Sequence, residues 1–385
     1  MLFKNKLRRI FYKFIKQPGY AFTVLGRRML CYFSYYLGNG KSLPPESITI
    51  FLTSHCNLNC HMCGQWGRQG VNLRADGRNL EEELSFEQLA SFIKEVAVFK
   101  PNITLFGGEP LLYKGGCVRL IKFIKEHNLH CLMITNGSLI KDNAEQLVLS
   151  KLDELNISLD GPALVHDKIR NQSGLFERIV SGIEKINYFK TTHHLKKPLV
   201  NLQCTINAEN YKFIDALLPI AKKLKVNSVT FHNLIFINQQ MLQKQYAYDR
   251  LLNANSKAWE GFLFDHDVDL QVLERKIKNI FSSTNGLNVD LYPDFSSSAL
   301  QEYYGNPQRV PSGYSSSCIS PWIATYLFCD GQIKPCLNSS YSFGNIRNVS
   351  FAEIWNSQLA VNFRKLLRKN KIFPVCPKCT ELYRY

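Results

Sequence analysis

The chain has 385 residues, 45% of them hydrophobic and 20% charged, with twelve cysteines and a formal charge of +16. This is an ordinary globular composition, with ample core-forming material for one large domain or two to three smaller ones. It excludes a small disulfide scaffold, and with no secretory signal pattern visible the cysteines read as reduced thiols or metal ligands in the cytoplasm.

The charge is uneven. Residues 1–45 contain nine Lys or Arg and no Asp or Glu. In residues 1–16, Phe3, Leu7, Ile10, Phe11 and Phe14 recur at helical spacing among Lys4, Lys6, Arg8, Arg9, Lys13 and Lys16. That pattern is a basic amphipathic helix, stopped by Pro18-Gly19. It suits the anionic inner face of a membrane better than nucleic acid, and no nucleic-acid partner is expected. The bland alternative is a helix pair packed on the domain's own surface. The apolar stretch Tyr20–Leu37 is broken by Arg27-Arg28 and makes a poor spanning helix.

From Ile48 the chain alternates strand and helix. Strands are expected at 48–53, 102–106, 131–135, 155–159, 199–206 and 228–234. Helices are expected at 85–97, 118–126, 143–149, 176–188 and 214–224. Residues 64–83 form a polar insert, and 238–316 read as helices, with a short strand at 288–292. Such alternation predicts a parallel sheet with helices outside. Six clear units fit a partial (β/α)6 TIM-like barrel, whose chemistry lies at the C-terminal ends of the strands. A domain boundary is expected near 300, giving segments 1–45, 46–300 and 301–385, the last a small cysteine-rich α+β extension.

Directly after the first strand stand Cys56, Cys60 and Cys63, a C-x3-C-x2-C triplet. No fourth Cys or His follows at zinc spacing, and His61 is poorly placed to share the centre. A cubane iron–sulfur cluster usually takes four thiolates, so three leave one iron open to a small molecule. The second strand ends at Gly107-Gly108-Glu109-Pro110, where two glycines allow backbone to approach a ligand and the carboxylate can meet a cation. Thr135-Asn136-Gly137 follows the third strand, and Ser158-Leu159-Asp160-Gly161, then His166-Asp167 and Arg170, follow the fourth. Far downstream, Cys318-x12-Gly331-x4-Cys336 and Cys376-x2-Cys379 supply two further cysteine pairs. Their spacing indicates a metal but not which one. Cys329 is extra, and Cys31, Cys117, Cys131 and Cys204 read as buried thiols.

The triplet with the GGEP sequence resembles the signature of the radical S-adenosylmethionine (SAM) superfamily. That resemblance implies a [4Fe-4S] cluster on Cys56, Cys60 and Cys63 whose open iron chelates SAM. One electron then cleaves SAM to a 5′-deoxyadenosyl radical that abstracts a substrate hydrogen. It also implies SAM contacts at Met62, which stands where the family usually has an aromatic residue, and at Gly107, Gly108, Glu109, Pro110, Asn136, Ser158 and Arg170. The C-terminal set, with its Asp330-Gly331 hairpin, Phe343-Gly344-Asn345-Ile346 and Glu353-Ile354-Trp355-Asn356, resembles the SPASM auxiliary-cluster extension. Four ligands fit its shorter, single-cluster twitch form. The implied activity is an oxidation or related radical change of a small molecule, whether carbohydrate, cyclitol or lipid-linked. The implied electron donor is a flavodoxin or ferredoxin. Two other readings stay open. One is a peptide maturase, although residues 1–47 are short for a peptide-binding module; the other is a non-catalytic iron–sulfur electron carrier. No catalytic side chain stands out.

Overall fold

The computed structural model describes residues 15, 18–73, 80–264 and 266–385. The amphipathic helix expected over 1–16 therefore lies outside the described residues, Ile15 apart, as does the middle of the polar insert.

A helix α1 (Pro18–Leu37) precedes the sheet. The chain then runs β1 (Ser47–Phe51), α2 (Phe86–Ala97), β2 (Asn102–Phe106), α3 (Cys117–Glu126), β3 (Cys131–Thr135), α4 (Ile140–Leu149) and β4 (Glu154–Ser158). Helices α5 (Ala163–Arg170) and α6 (Leu175–Thr192) lead to β5 (Leu199–Ile206), α7 (Leu217–Lys223) and β6 (Ser228–Asn233). Two helices, α8 (Gln239–Leu252) and α9 (Leu270–Ser282), lead to β7 (Asn288–Tyr292) and α10 (Ser297–Gly305). The extension comprises α11 (Ser320–Ile323), β8 (Ala324–Leu327), β9 (Gln332–Lys334), β10 (Gly344–Asn345), α12 (Phe351–Trp355) and α13 (Gln358–Asn370).

All ten strands form one sheet in the order β10-β9-β8-β1-β2-β3-β4-β5-β6-β7. The strand pattern explains why. In β2, Ile103 and Leu105 are fully buried against the helices while Thr104 points to the barrel interior and is half-buried. In β5, Val200, Leu202, Cys204 and Ile206 are buried, and the intervening residues face inward. There Asn201 donates to Asn156 at 2.9 Å and accepts from Ser228 Oγ at 2.7 Å, so the interior is partly polar and hydrogen-bonded across strands. Helix α2 starts where its sequence dictates: Ser85 accepts from the Gln88 amide at 3.2 Å and Gln88 Oε1 accepts from the Ser85 amide at 2.8 Å. Such a reciprocal cap contributes about 1 kcal/mol.

The six expected units are present, but the parallel run is longer than six. Strand β7 pairs in parallel with β6, and β8 pairs in parallel with β1 from Ser47↔Ala324 to Ile50↔Leu327. The boundary expected near 300 falls inside α10, and the sheet continues across it into the extension. A six-strand sheet would leave two apolar edges unpaired, and β7 and β8 satisfy both. Residues 380–385 bridge the remaining split. Tyr292 at the end of β7 donates to the Thr380 carbonyl at 2.5 Å, and Ser320 just before β8 donates to Glu381 at 3.4 Å. In the extension, the buried Arg364 donates to the carbonyls of Pro321, Trp355 and Gly40 at 2.8, 2.9 and 3.3 Å, tying α13 to the segment before β1. Burial lowers its pKa to about 9.

His166 on α5 is fully buried, and its Nδ1 accepts from the Asp160 amide at 3.1 Å. Burial lowers its pKa from 6.5 to about 4. Below pH 6.5 the unfolded chain binds a proton that the folded one refuses, so stability falls as pH drops through that window, by roughly 3 kcal/mol at its foot. The thermal midpoint of His166→Gln should fall less than that of the parent between pH 7 and pH 5. Equal slopes would refute the assignment.

Candidate active site

The Cys56, Cys60 and Cys63 thiols are free and sit on the loop that follows β1, at the C-terminal end of the sheet. The glycines after β2 shape that loop. The Gly108 amide donates to the Thr53 carbonyl at 2.8 Å and the Glu109 amide to the His55 carbonyl at 2.7 Å. A Cβ on Gly108 would stand 2.0 Å from the His55 oxygen, and one on Gly107, whose φ is +135°, 2.5 Å from the Thr53 oxygen. The two strand-end turns can pack this closely only because no side chain intervenes. Gly108→Ala is accordingly expected to cost at least about 3 kcal/mol and to displace the cysteine loop. A lowered thermal midpoint and lost iron after reconstitution would show it; full iron loading would contradict it.

Glu109 differs from its sequence reading. Its carboxylate is 0% exposed and both oxygens are taken: Oε1 accepts from Thr135 Oγ1 at 2.8 Å and the Leu111 amide at 3.2 Å, Oε2 from the Asn136 amide at 2.9 Å. Burial raises its pKa against these three bonds. The carboxylate locks the turns after β2 and β3 together through three hydrogen bonds from within the chain. Asn136, positioned in this way, donates to Asn57 Oδ1 at 2.9 Å and lies 3.8 Å from Cys56 Sγ.

Arg170, on the last turn of α5, forms a buried ion pair with Asp160 at 2.6 Å and lies 3.8 Å from Cys60 Sγ. Burial alone would lower its pKa, but Asp160 and Cys60 outweigh that and raise it, so a fixed positive charge sits beside one thiol. This is no surface salt bridge. Cys60 itself is raised by burial, with Arg170 pulling the other way, and burial pushes Cys56 up to about 11. Iron binding must therefore displace protons. The Trp66 amide donates to Cys63 Sγ at 3.3 Å. Met62 accepts from Asn207 at 3.2 Å, and Ser158 ends β4 half-buried. His61 turns away to Glu209, 2.8 Å from Nδ1, and is no cluster ligand. Asp160 lay in the motif after the fourth strand, while Trp66 and Asn207 had no signal beyond a composition shared with many loops.

The second cysteine set converges too. Burial raises the Cys318 and Cys336 thiols well above the usual range, and each is raised further by Cys376 and Cys379. Those shifts put the four thiols within electrostatic reach of one another. Cys376 lies near 11, raised by burial and eased by the Phe373 amide, 3.3 Å from its sulfur. Among the described residues no three Cys, His, Asp or Glu side chains are close enough to hold one bare ion. Cys329 stands apart, 3.4 Å from Ser54 Oγ, and Cys31, Cys117, Cys131 and Cys204 are buried singly, as expected.

A cavity of about 400 Å³ lies where the loop after β1 meets the extension. Phe51 and Ser54 from the end of β1 form one wall with Gln65 and Asn72; Phe328, Cys329, Asp330 and Lys334 of the β8–β9 hairpin and Asn338 form the other. Phe51 and Phe328 stack at 4.6 Å across the β1–β8 junction.

A parallel partial barrel with a three-thiol loop at its mouth, and a four-thiol set in the extension, defines an iron–sulfur enzyme with two cluster sites. The chain belongs to the radical SAM superfamily: it matches that family over residues 50–192 and the SPASM iron–sulfur cluster-binding domain over 318–380. It is 28% identical over 322 residues to the Fe-coproporphyrin III synthase of Methanosarcina barkeri, covering 79% of this chain and 72% of that one. It is 30% identical over 309 residues to a probable GTP 3′,8-cyclase of Saccharolobus solfataricus, covering 76% and 83%. Among solved structures it resembles Streptococcus suis SuiB bound to the precursor peptide SuiA, with TM-score 0.60, 15% identity and coverage of 86% and 70%. It also resembles anSMEcpe with bound AdoMet, with TM-score 0.55, 19% identity and coverage of 84% and 81%. The protein is an enzyme of radical SAM type, with a SAM-bound [4Fe-4S] cluster and an auxiliary iron–sulfur cluster.

Proposed function

We propose that Cys56, Cys60 and Cys63 hold the SAM-bound cluster and Cys318, Cys336, Cys376 and Cys379 the auxiliary one. On this reading the cavity beside the β1 loop receives a small molecule that loses a hydrogen atom. The observation that carries this reading is the cavity itself, walled on one side by the β1 loop and on the other by the extension. Held by Cys56, Cys60 and Cys63, the cluster with SAM would supply radical chemistry for removing a substrate hydrogen. The protein's own residues position and enclose. Gly107, Gly108 and Pro110 shape the turn against which SAM lies, and Glu109 holds that turn to Asn136. Met62 and Ser158 line the approach, and Arg170 keeps a positive charge at Cys60. Asn72, Asn255 and Asn338 around the cavity offer both donors and acceptors, which suits a hydroxyl-rich carbohydrate or cyclitol, free or lipid-linked, better than an apolar ligand.

The reducing electron comes, on this proposal, from a flavodoxin or ferredoxin, and basic residues 1–16 hold the protein peripherally at the inner face of the membrane. A peptide substrate is the second reading, favoured by the likeness to a neighbour bound to its precursor peptide. Deuterium decides between them. Metabolite extracts and a peptide library, each grown on deuterated carbon source, are incubated with enzyme, reductant and SAM. Deuterium entering 5′-deoxyadenosine only from the metabolite pool supports the first reading; entry only from peptides overturns it.

A further inference from the structure

Among the described residues, one face of α1 is uncovered. Leu25, Met29, Leu30, Phe33, Tyr36 and Leu37 are each at least half exposed, from 50% at Leu30 to 78% at Leu37. At 3.6 residues per turn these six fall on one side of the helix. The other side carries Cys31, Ser34 and Tyr35, all buried. Tyr35 meets Trp322 edge-on at 4.8 Å, and Arg28 pairs with Glu46 at 2.8 Å. The contacts that fix the helix thus hold its apolar stripe outward. Single exposed apolar side chains are ordinary, but a contiguous row marks a binding surface.

The position of α1 adds a direction. Its partners precede the strands: Glu46 stands just before β1, Ser42 Oγ donates to the Trp322 carbonyl at 3.0 Å just before β8, and the Leu43 amide donates to Ser34 Oγ at 3.1 Å. Helix α1 therefore lies at the N-terminal end of the sheet, whereas Cys56, Cys60 and Cys63 follow the C-terminal end of β1. The stripe and the cluster loop are at opposite ends of the barrel.

We propose that this stripe seats in the surface of an anionic bilayer, with α1 lying in the interface and the cavity mouth turned to the aqueous phase. This deepens, and rests on, the peripheral-membrane reading of residues 1–16. The argument is charge complementarity: residues 1–45 hold nine cations and no anion, six of the cations in residues 1–16, which directly precede in sequence the helix that presents the stripe. A helix in the interface buries its apolar side among acyl chains and keeps Lys and Arg among the headgroups. Among the described residues no helix is long and apolar enough to cross a membrane. The substrate then enters from the aqueous side, as a soluble molecule or as a headgroup long enough to reach around the barrel.

The test uses the full chain in flotation with vesicles of mixed phosphatidylglycerol and phosphatidylcholine. Met29→Ser with Phe33→Ser alters no charge and touches neither cluster site, so SAM cleavage should be unchanged. Its vesicle affinity should drop by about tenfold or more, from the lost burial of two large apolar side chains. If the parent binds and the double variant binds equally, the stripe proposal is overturned while the reading of residues 1–16 stands. If the parent itself fails to bind, both are overturned. Light scattering without lipid covers a second copy as occupant: a parent dimer that the double variant converts to monomer would make the stripe a self-interface and overturn the proposal.

Discussion

Cys56→Ala should abolish SAM cleavage. Three thiolates are the fewest that hold a cubane while leaving one iron open, and two cannot keep it. The 5′-deoxyadenosine formed under reducing conditions should fall to background, and about half of the iron should be lost with it. The fold should survive, because Cys56 is only partly buried, at the edge of the core cluster, and Ala removes a single sulfur there. An unchanged circular-dichroism spectrum alongside lost cleavage is the expected pair of results. Cleavage at the parent rate would remove the cluster assignment altogether.

Cys376→Ala with Cys379→Ala should have the converse effect. If both sites hold cubanes, the anaerobic parent carries about eight irons per chain and the double variant about four. Because the barrel loop has its own ligands, SAM cleavage should persist without substrate. Product formation should fail, since on the proposed reading the auxiliary cluster anchors the substrate or takes its electron. The rival is a structural zinc at the four C-terminal cysteines, which supports no redox chemistry. One zinc and about four irons in the parent, with a single cluster by spin quantitation, would refute the auxiliary-cluster assignment and with it any electron route through that site.

The chemistry was legible in the chain because it depends on residue types at short spacing. Cys56, Cys60 and Cys63 must converge from one loop, Gly107 and Gly108 must let two turns meet, and Cys376 and Cys379 sit two residues apart. The strand–helix alternation was legible for the same reason, being a local pattern of period two and then 3.6. Residues 238–316 were legible in part: their helices and the strand at 288–292 carry local signals, with caps at Asn238, Asp269 and Ser296, whereas the pairing of that strand with β6 does not.

The tertiary structure decided what depends on long-range meeting. It turned the Glu109 carboxylate inward to Thr135 and Asn136, where the sequence suggested a ligand contact. It buried Arg170 against Asp160 and Cys60, while the same residue could equally have formed a surface pair. It joined β8 to β1 across almost 280 positions, so the extension shares the barrel's sheet and walls one cavity with it. Nothing in a window of residues around Ala324 names Ser47 as its partner. Backbone hydrogen bonds between strands carry no sequence label, and only the burial of both faces of the sheet selects that pairing.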